Sequence, residues 1–196
     1  MQRLGIFGGT FNPVHNIHLN MALHFVLQMK LDVCLFVPAY ISPFKTEITE
    51  EIIPAEHRLK MLELALQSYQ KLTIETYEIN KKGISYTIDT INYLNEKYPE
   101  AELNLLIGSD QLKDFTQWKN WEIILKIVNL CVVKRPETDL DNFTFLSGKG
   151  KIQFIDIAEN ALSSSKIREM VKNNESISGL VPYEVEKYIK ENNLYK

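Results

Sequence analysis

Cysteine is scarce in this chain. Of 196 residues only Cys34 and Cys131 are cysteines, and each sits inside an apolar run, Val33-Cys34-Leu35-Phe36-Val37 and Leu130-Cys131-Val132-Val133. Neither has a CxxC partner, which argues against a zinc or redox motif, and their apolar neighbours make them buried strand residues. Long hydrophobic runs are missing too. No apolar stretch approaches the ~20 residues needed to cross a bilayer. The opening Arg3-Leu4-Gly5-Ile6-Phe7 gives way at once to Gly8-Gly9, unlike the layout of a leader peptide. The expectation is a cytoplasmic protein with no membrane partner. An excess of one charge is also lacking. Lys and Arg total 22 against 25 Asp and Glu, a net charge of −3, so the overall field offers no hold to nucleic acid.

What is present is ordinary globular composition, 45% hydrophobic and 24% charged. A chain of this size buries a core without staples, and residues 1–196 are expected to form a single domain.

Short apolar runs alternate with helical periodicity. Strands are predicted from Leu4 to Phe7, Val33 to Val37, Leu72 to Ile79, Leu103 to Ile107, Leu130 to Val133 and Ile152 to Ile157. Pro38, Gly108 and Pro136 close three of them. Helical patterns fall on Asn20 to Met29, on Leu59, Leu62 and Leu66 after Pro54, and on Ile88, Ile91 and Leu94 before Pro99. Others fall on Ile123 to Ile127, on Ile167, Met170 and Val171, and on Val185, Tyr188 and Ile189. Continuous apolar strands between helices predict a doubly wound parallel α/β sheet, Rossmann-like, with C-terminal helices. Glu137 to Gly150 reads as a surface loop. In such folds ligands bind beyond the carboxyl ends of the strands, so functional residues should follow strands.

Three segments do. After the first strand comes Gly8-Gly9-Thr10-Phe11-Asn12-Pro13-Val14-His15-Asn16-Ile17-His18. Adjacent glycines admit a ligand close to the backbone. This is neither a Walker A loop nor GxGxxG, because the required lysine and glycine spacings are absent. Two histidines three apart entering a helix can share one face beside its unpaired N–H groups, where anions are favoured. Zinc needs a third ligand, and no such cluster accompanies the pair. The surrounding glycine loop sets phosphate binding above both a zinc pair and two satisfied surface histidines. After the sixth strand, Ser163-Ser164-Ser165-Lys166-Ile167-Arg168 offers a serine cap, free N–H groups and a guanidinium fork, either a plain helix start or a second phosphate site. After the fourth strand, Ile107-Gly108-Ser109-Asp110 places Gly108 for close approach and Asp110 for a ribose hydroxyl or a metal ion, though an ordinary turn with an Asp cap fits as well. Lys45, in Ser42-Pro43-Phe44-Lys45, is a phosphate candidate or simply a solvated charge.

Together these residues resemble the nucleotidyltransferase superfamily with its (H/T)xGH signature, and within it the bacterial nicotinate-nucleotide adenylyltransferase family. The resemblance covers nearly the whole chain. It runs through Gly8 to Pro13 with His15 and His18, Lys45, His57-Arg58-Leu59, Ser85-Tyr86-Thr87 with Asp89-Thr90, and Ile107 to Asp110. It continues through Trp118, Arg135-Pro136, Ser164 to Arg168, and Val181-Pro182 to Tyr188-Ile189. Three positions depart from the usual pattern: Asn12 stands for an aspartate, Ile17 for the glycine between the histidines, and Phe44 for a histidine before Lys45.

The resemblance implies transfer of the adenylyl group of ATP to nicotinate mononucleotide. His15, His18, Ser164, Ser165 and Arg168 would grip the ATP phosphates, while Gly8, Gly9, Thr10, Phe11, Gly108 and Asp110 shape the nucleotide pocket. Lys45, Tyr86, Thr87, Trp118 and Arg135 would face the mononucleotide, and His15, His18, Lys45 and Arg168 form the catalytic set. Mg²⁺ would arrive with ATP, since the sequence contains no dedicated metal cage. The helix start at Ser85-Tyr86-Thr87, rich in free N–H groups, favours a carboxylate over an amide. The rival readings are phosphopantetheine adenylyltransferase and a nucleotide-binding regulator without catalysis. Monomer and homo-oligomer both stay open.

Overall fold

The computed structural model describes residues 1–43, 52–133, 148–157 and 162–196. Its elements in chain order are β1 (Arg3–Gly9), α1 (Asn16–Gln28), β2 (Val33–Pro38), α2 (Ala55–Leu66), β3 (Leu72–Ile74), α3 (Tyr77–Lys81), α4 (Thr87–Lys97) and β4 (Glu102–Gly108). They continue with α5 (Ser109–Lys113), a 3-10 turn (Phe115–Gln117), α6 (Trp121–Ile127), β5 (Asn129–Val133), β6 (Ile152–Ile155), α7 (Ser164–Lys172) and α8 (Tyr183–Glu191).

The six strands form one parallel sheet in the order β3-β2-β1-β4-β5-β6. Side-chain alternation along each strand divides the interior in two. Phe7, Cys34, Phe36, Leu106 and Cys131 pack with Phe25 of α1, Met61 and Leu62 of α2, Ile167 of α7 and Val185 and Ile189 of α8. Leu4, Ile6, Leu35, Val37, Leu103, Leu105 and Ile107 pack with Ile88, Ile91 and Leu94 of α4, Leu112 of α5 and Ile124 and Leu125 of α6. Both cysteines are buried strand residues, and burial pushes the Cys131 thiol up to about 12 and that of Cys34 higher.

The chain leaves β3 and returns on the far side of β1 to form β4. The strand order therefore reverses between β1 and β4, and their carboxyl ends, Gly8-Gly9 and Gly108, flank the crevice where such sheets bind ligands.

Three elements differ from the sequence expectation. The third strand ends at Ile74 instead of Ile79, and Tyr77–Lys81 is helical. β3 pairs only with β2, in the register Phe36↔Ile74, and two residues further along β2 stands Pro38, which has no N–H for the ladder. The chain turns instead, with Glu75 accepting from the Tyr77 N–H at 3.0 Å and the Tyr77 ring stacked on Tyr93 at 4.2 Å. The first helix begins at Asn16, not Asn20, because the Asn16 N–H and side chain donate to the Leu180 and Gly179 carbonyls at 3.0 and 2.8 Å. The sixth strand ends at Ile155 instead of Ile157, and the Asp156 main chain is held by the Gln28 side chain. Of the predicted surface loop, residues 137–147 lie outside the described residues, and exposed Gly148 to Gly150 form a turn. No helix among the described residues is long and apolar enough to cross a membrane.

Candidate active site

The loop between β1 and α1 is the centre of the site. A Cβ added at Gly8 would meet nothing within 4 Å, so this residue opens onto free space. A Cβ at Gly9 would lie 3.0 Å from the Phe11 ring, so the glycine lets that ring close over the end of β1. Phe11 itself is left-handed (φ 50°) and buried. Its ring joins Phe7, Phe36 and His18 in an aromatic cluster with centroids 5.1–5.9 Å apart. The imidazole of His18 thus stands on a rigid apolar floor. The Asn12–Pro13 peptide that follows is cis.

His15 is the N-cap of α1 and His18 lies one turn on. Their rings stack with centroids 3.7 Å apart. The His15 main-chain N–H donates to His18 Nδ1 at 3.2 Å. An Nδ1 that accepts leaves the proton of the neutral ring on Nε2, which makes that atom a donor. Burial pushes the His15 imidazole from the usual 6.5 down to about 4, and burial followed by the nearness of His15 holds His18 well below the ordinary histidine value. Both rings are therefore neutral at pH 7. His15 is 3% exposed, and its Nδ1 has no hydrogen-bond partner among the described residues. A buried polar atom without a partner is costly in a folded protein and points to a ligand group that completes it.

The second predicted segment docks on the first. Ser163 caps α7 and accepts from the Lys166 N–H at 3.2 Å. Ser164 Oγ donates to the Pro13 carbonyl at 2.9 Å, and Arg168 Nη1 donates to the Asn12 carbonyl, also at 2.9 Å. Arg168 Nη2 reaches Ser165 Oγ at 3.3 Å. Two helix starts, of α1 and α7, with their orphan N–H groups and positive dipole ends, are thereby joined through one loop.

Gly108 closes β4 and is the N-cap of α5. Its N–H donates to Gln111 Oε1 at 3.0 Å, and a Cβ there would fall 2.3 Å from Asp110 Oδ1. The missing side chain makes room for the Asp110 carboxylate at the start of α5. Among the described residues no three His, Cys, Asp or Glu side chains gather to hold a metal ion.

On the other side of the crevice, Tyr86 is the N-cap of α4 and Thr87 its first residue. Ser85 ties this helix start to the end of β2, accepting from the Tyr40 N–H at 2.9 Å and donating its own N–H to the Ile41 carbonyl at 2.8 Å. Trp118 is half-buried against Phe115, and Lys119 lies over the Tyr86 ring at 4.4 Å. The structure thus brings Tyr86 beside the Trp118 turn. Lys45, Phe44 and Arg135 lie outside the described residues.

The sequence reading gave no role to Arg58, although it carried a signal. In a helix whose inward positions are Met61, Leu62 and Ala65, an arginine at the same spacing is out of pattern. It is 1% exposed and donates to four carbonyls: Ala39 at 2.7 Å, Thr10 at 2.8 Å, and Tyr40 and Ile53 at 3.2 Å. It fastens the loop after β1 to the loop after β2. Burial lowers its pKa, and it stays charged because a guanidinium starts so high.

A doubly wound sheet with two anion-receptive helix starts joined at the carboxyl end of β1 defines a nucleotide-binding α/β protein of the nucleotidyltransferase class. Comparison with known sequences narrows the class. The chain belongs to the cytidylyltransferase-like family, whose sequence model matches residues 6–170, and among its relatives to the nicotinate-nucleotide adenylyltransferases. It is 36% identical over 196 residues to the nicotinate-nucleotide adenylyltransferase of Bacillus subtilis (strain 168), covering all of both chains. It is 37% identical over 201 residues to the probable nicotinate-nucleotide adenylyltransferase of Clostridium acetobutylicum, again over all of both. The fold also matches that of Plasmodium falciparum nicotinic acid mononucleotide adenylyltransferase complexed with NaAD. The TM-score is 0.81 at 19% identity, covering 100% of this chain and 98% of that one.

Proposed function

We propose that this protein, acting as a single domain, transfers the adenylyl group of ATP to nicotinate mononucleotide in NAD biosynthesis. The products are nicotinate adenine dinucleotide and pyrophosphate. The observation that carries the reading is the neutral, stacked His15–His18 pair at the start of α1, joined through the Asn12-Pro13 carbonyls to Ser164 and Arg168. The full-length likeness to adenylyltransferases supports it.

The mononucleotide phosphate is already ionised at neutral pH, so no general base is needed. Its oxygen attacks the α-phosphorus in line. The bond from that phosphorus to the bridging oxygen breaks, and pyrophosphate leaves with the electron pair. Positioning and charge stabilisation do the work. His18 Nε2–H donates to the α-phosphate oxygens as charge develops there. His15, Ser164, Ser165 and Arg168 hold the β- and γ-phosphates, and Gly8 leaves room for the nucleotide beside β1. Mg²⁺ enters as part of the Mg·ATP substrate, with the phosphates supplying most of its ligands. Lys45 and Arg135 complete the grip on the mononucleotide phosphate. The orphan N–H groups of Tyr86 and Thr87 receive the nicotinate carboxylate, with the pyridine ring on Trp118. The reading takes the cytoplasm as the compartment, where both nucleotides are available.

The test is pyrophosphate release from Mg·ATP with nicotinate mononucleotide, its amide and phosphopantetheine offered in parallel. Release with the acid at a kcat/KM well above the amide is the expected result. An amide equal to or better than the acid would refute the carboxylate site, and turnover of phosphopantetheine alone would replace the reading altogether.

A further inference from the structure

The loop that joins the two phosphate-binding helix starts is held by a residue far away in sequence. Asn12 is 2% exposed, and its Oδ1 accepts a hydrogen bond from the Tyr195 hydroxyl at 2.9 Å, across 183 positions. The carbonyl of the same Asn12 accepts from Arg168 Nη1. Its neighbours Thr10 and Pro13 give their carbonyls to Arg58 and Ser164. Three carbonyls of the loop therefore meet donors from α2 and α7, while the buried polar side chain of Asn12 meets the segment after α8.

Several features indicate that this contact is built and not incidental. Leu194 and Tyr195 are buried, and the Leu194 N–H donates to the Ile189 carbonyl at 3.1 Å. Tyr195 accepts a left-handed backbone (φ 64°), an unfavourable conformation for an aromatic residue that persists only where surrounding contacts enforce it. Its hydroxyl lies in the fields of both Arg58 and Arg168, yet burial keeps it protonated and hence a donor. Asn12 has the carbonyl oxygen needed to accept it.

We infer that Tyr195 is a positioning residue for ATP. Its hydroxyl sets Asn12, and the Asn12 carbonyl sets the guanidinium of Arg168 toward the triphosphate. The segment after α8 is in this way part of the nucleotide site without touching substrate. The inference rests on the reading that Arg168 meets ATP phosphates.

The test is Tyr195→Phe, which removes one oxygen and keeps the buried ring. Binding of a fluorescent ATP analogue with Mg²⁺ is measured alongside steady-state kinetics and the thermal midpoint. The expected result is about a fivefold weaker nucleotide affinity, the loss of one hydrogen bond's worth of positioning, with the KM for the mononucleotide unchanged. In an Arg168→Ala background the same substitution should have almost no further effect on nucleotide affinity, because Tyr195 acts through Arg168. Equal weakening of both substrates, or effects of the two substitutions that multiply independently, would reduce Tyr195 to a packing residue and overturn the inference. Unchanged nucleotide affinity in Tyr195→Phe would overturn it as well. A wild-type protein that binds no ATP would overturn both this inference and the proposed function, whereas tight binding without adenylyl transfer would remove the latter alone.

Discussion

Acid should weaken this protein through His15. The free imidazole titrates near 6.5, whereas the buried ring titrates at about 4. Between those values the unfolded chain binds a proton that the folded protein refuses, so stability falls as pH falls through the window and is restored above it. Linkage with those two values gives a loss of about 2 kcal/mol by pH 5 and about 3 kcal/mol by pH 4, a large share of a typical domain's 5–15 kcal/mol. His18, held low by the same burial, adds in the same direction. The assay is urea unfolding at a series of pH values, for the wild type and for His15→Gln, which cannot titrate. Carboxylates contribute to both proteins alike, so the difference in slope between pH 7 and 5 isolates His15. The wild type should lose about 2 kcal/mol more than the variant. Mg·ATP should narrow the gap, because triphosphate oxygens favour a protonated imidazole. Parallel pH profiles for the two proteins would show that His15 is not held neutral, and the donor role argued for the pair would fall with it.

Three further outcomes follow from the same site. His18→Ala should lower kcat by roughly a hundredfold or more with the fold intact, as when one oxyanion donor is removed, and a near-normal kcat would deny it the α-phosphate role. Arg168→Ala should raise the KM for ATP far more than that for the mononucleotide, with Arg168→Lys only a partial rescue because the planar fork is lost; equal effects on both substrates would move Arg168 off the triphosphate. Trp118→Ala should weaken the acid and amide mononucleotides together while roughly preserving their ratio of kcat/KM, and a changed ratio would mean that the indole reads the carboxylate.

Much of this fold is written in local pattern. Strands such as Leu130 to Val133 are apolar on both faces because helices cover both, and that continuity marks them as parallel and buried. The two segments proposed to hold phosphate stand out for a similar reason: glycines, histidines and serines follow strands, where this topology places ligands. What stayed hidden is what depends on distant partners. The start of α1 is set by carbonyls at Gly179 and Leu180. The end of β3 is set by a proline on its neighbour, while Thr76, Tyr77 and Ile79 carry β-favouring side chains into a stretch that has lost its ladder. Asn12 reads as one of three departures from the family pattern, and only the folded chain shows the hydroxyl of Tyr195 against it. The five-residue α5 spans little more than one turn, too few residues for a helical repeat to show.

The two buried thiols lie on β2 and β5, one strand out from β1 and β4 on either side. Since only a thiolate attacks an alkylating reagent, thiols displaced to about 12 and above are chemically silent while the sheet is closed. They become reactive only when the strands that carry the nucleotide crevice come apart. The protein therefore holds two internal reporters of sheet opening, one on each flank, and needs no engineered label. The rate of their modification counts excursions of the sheet, and nucleotide bound as proposed at the loop after β1 should slow that count.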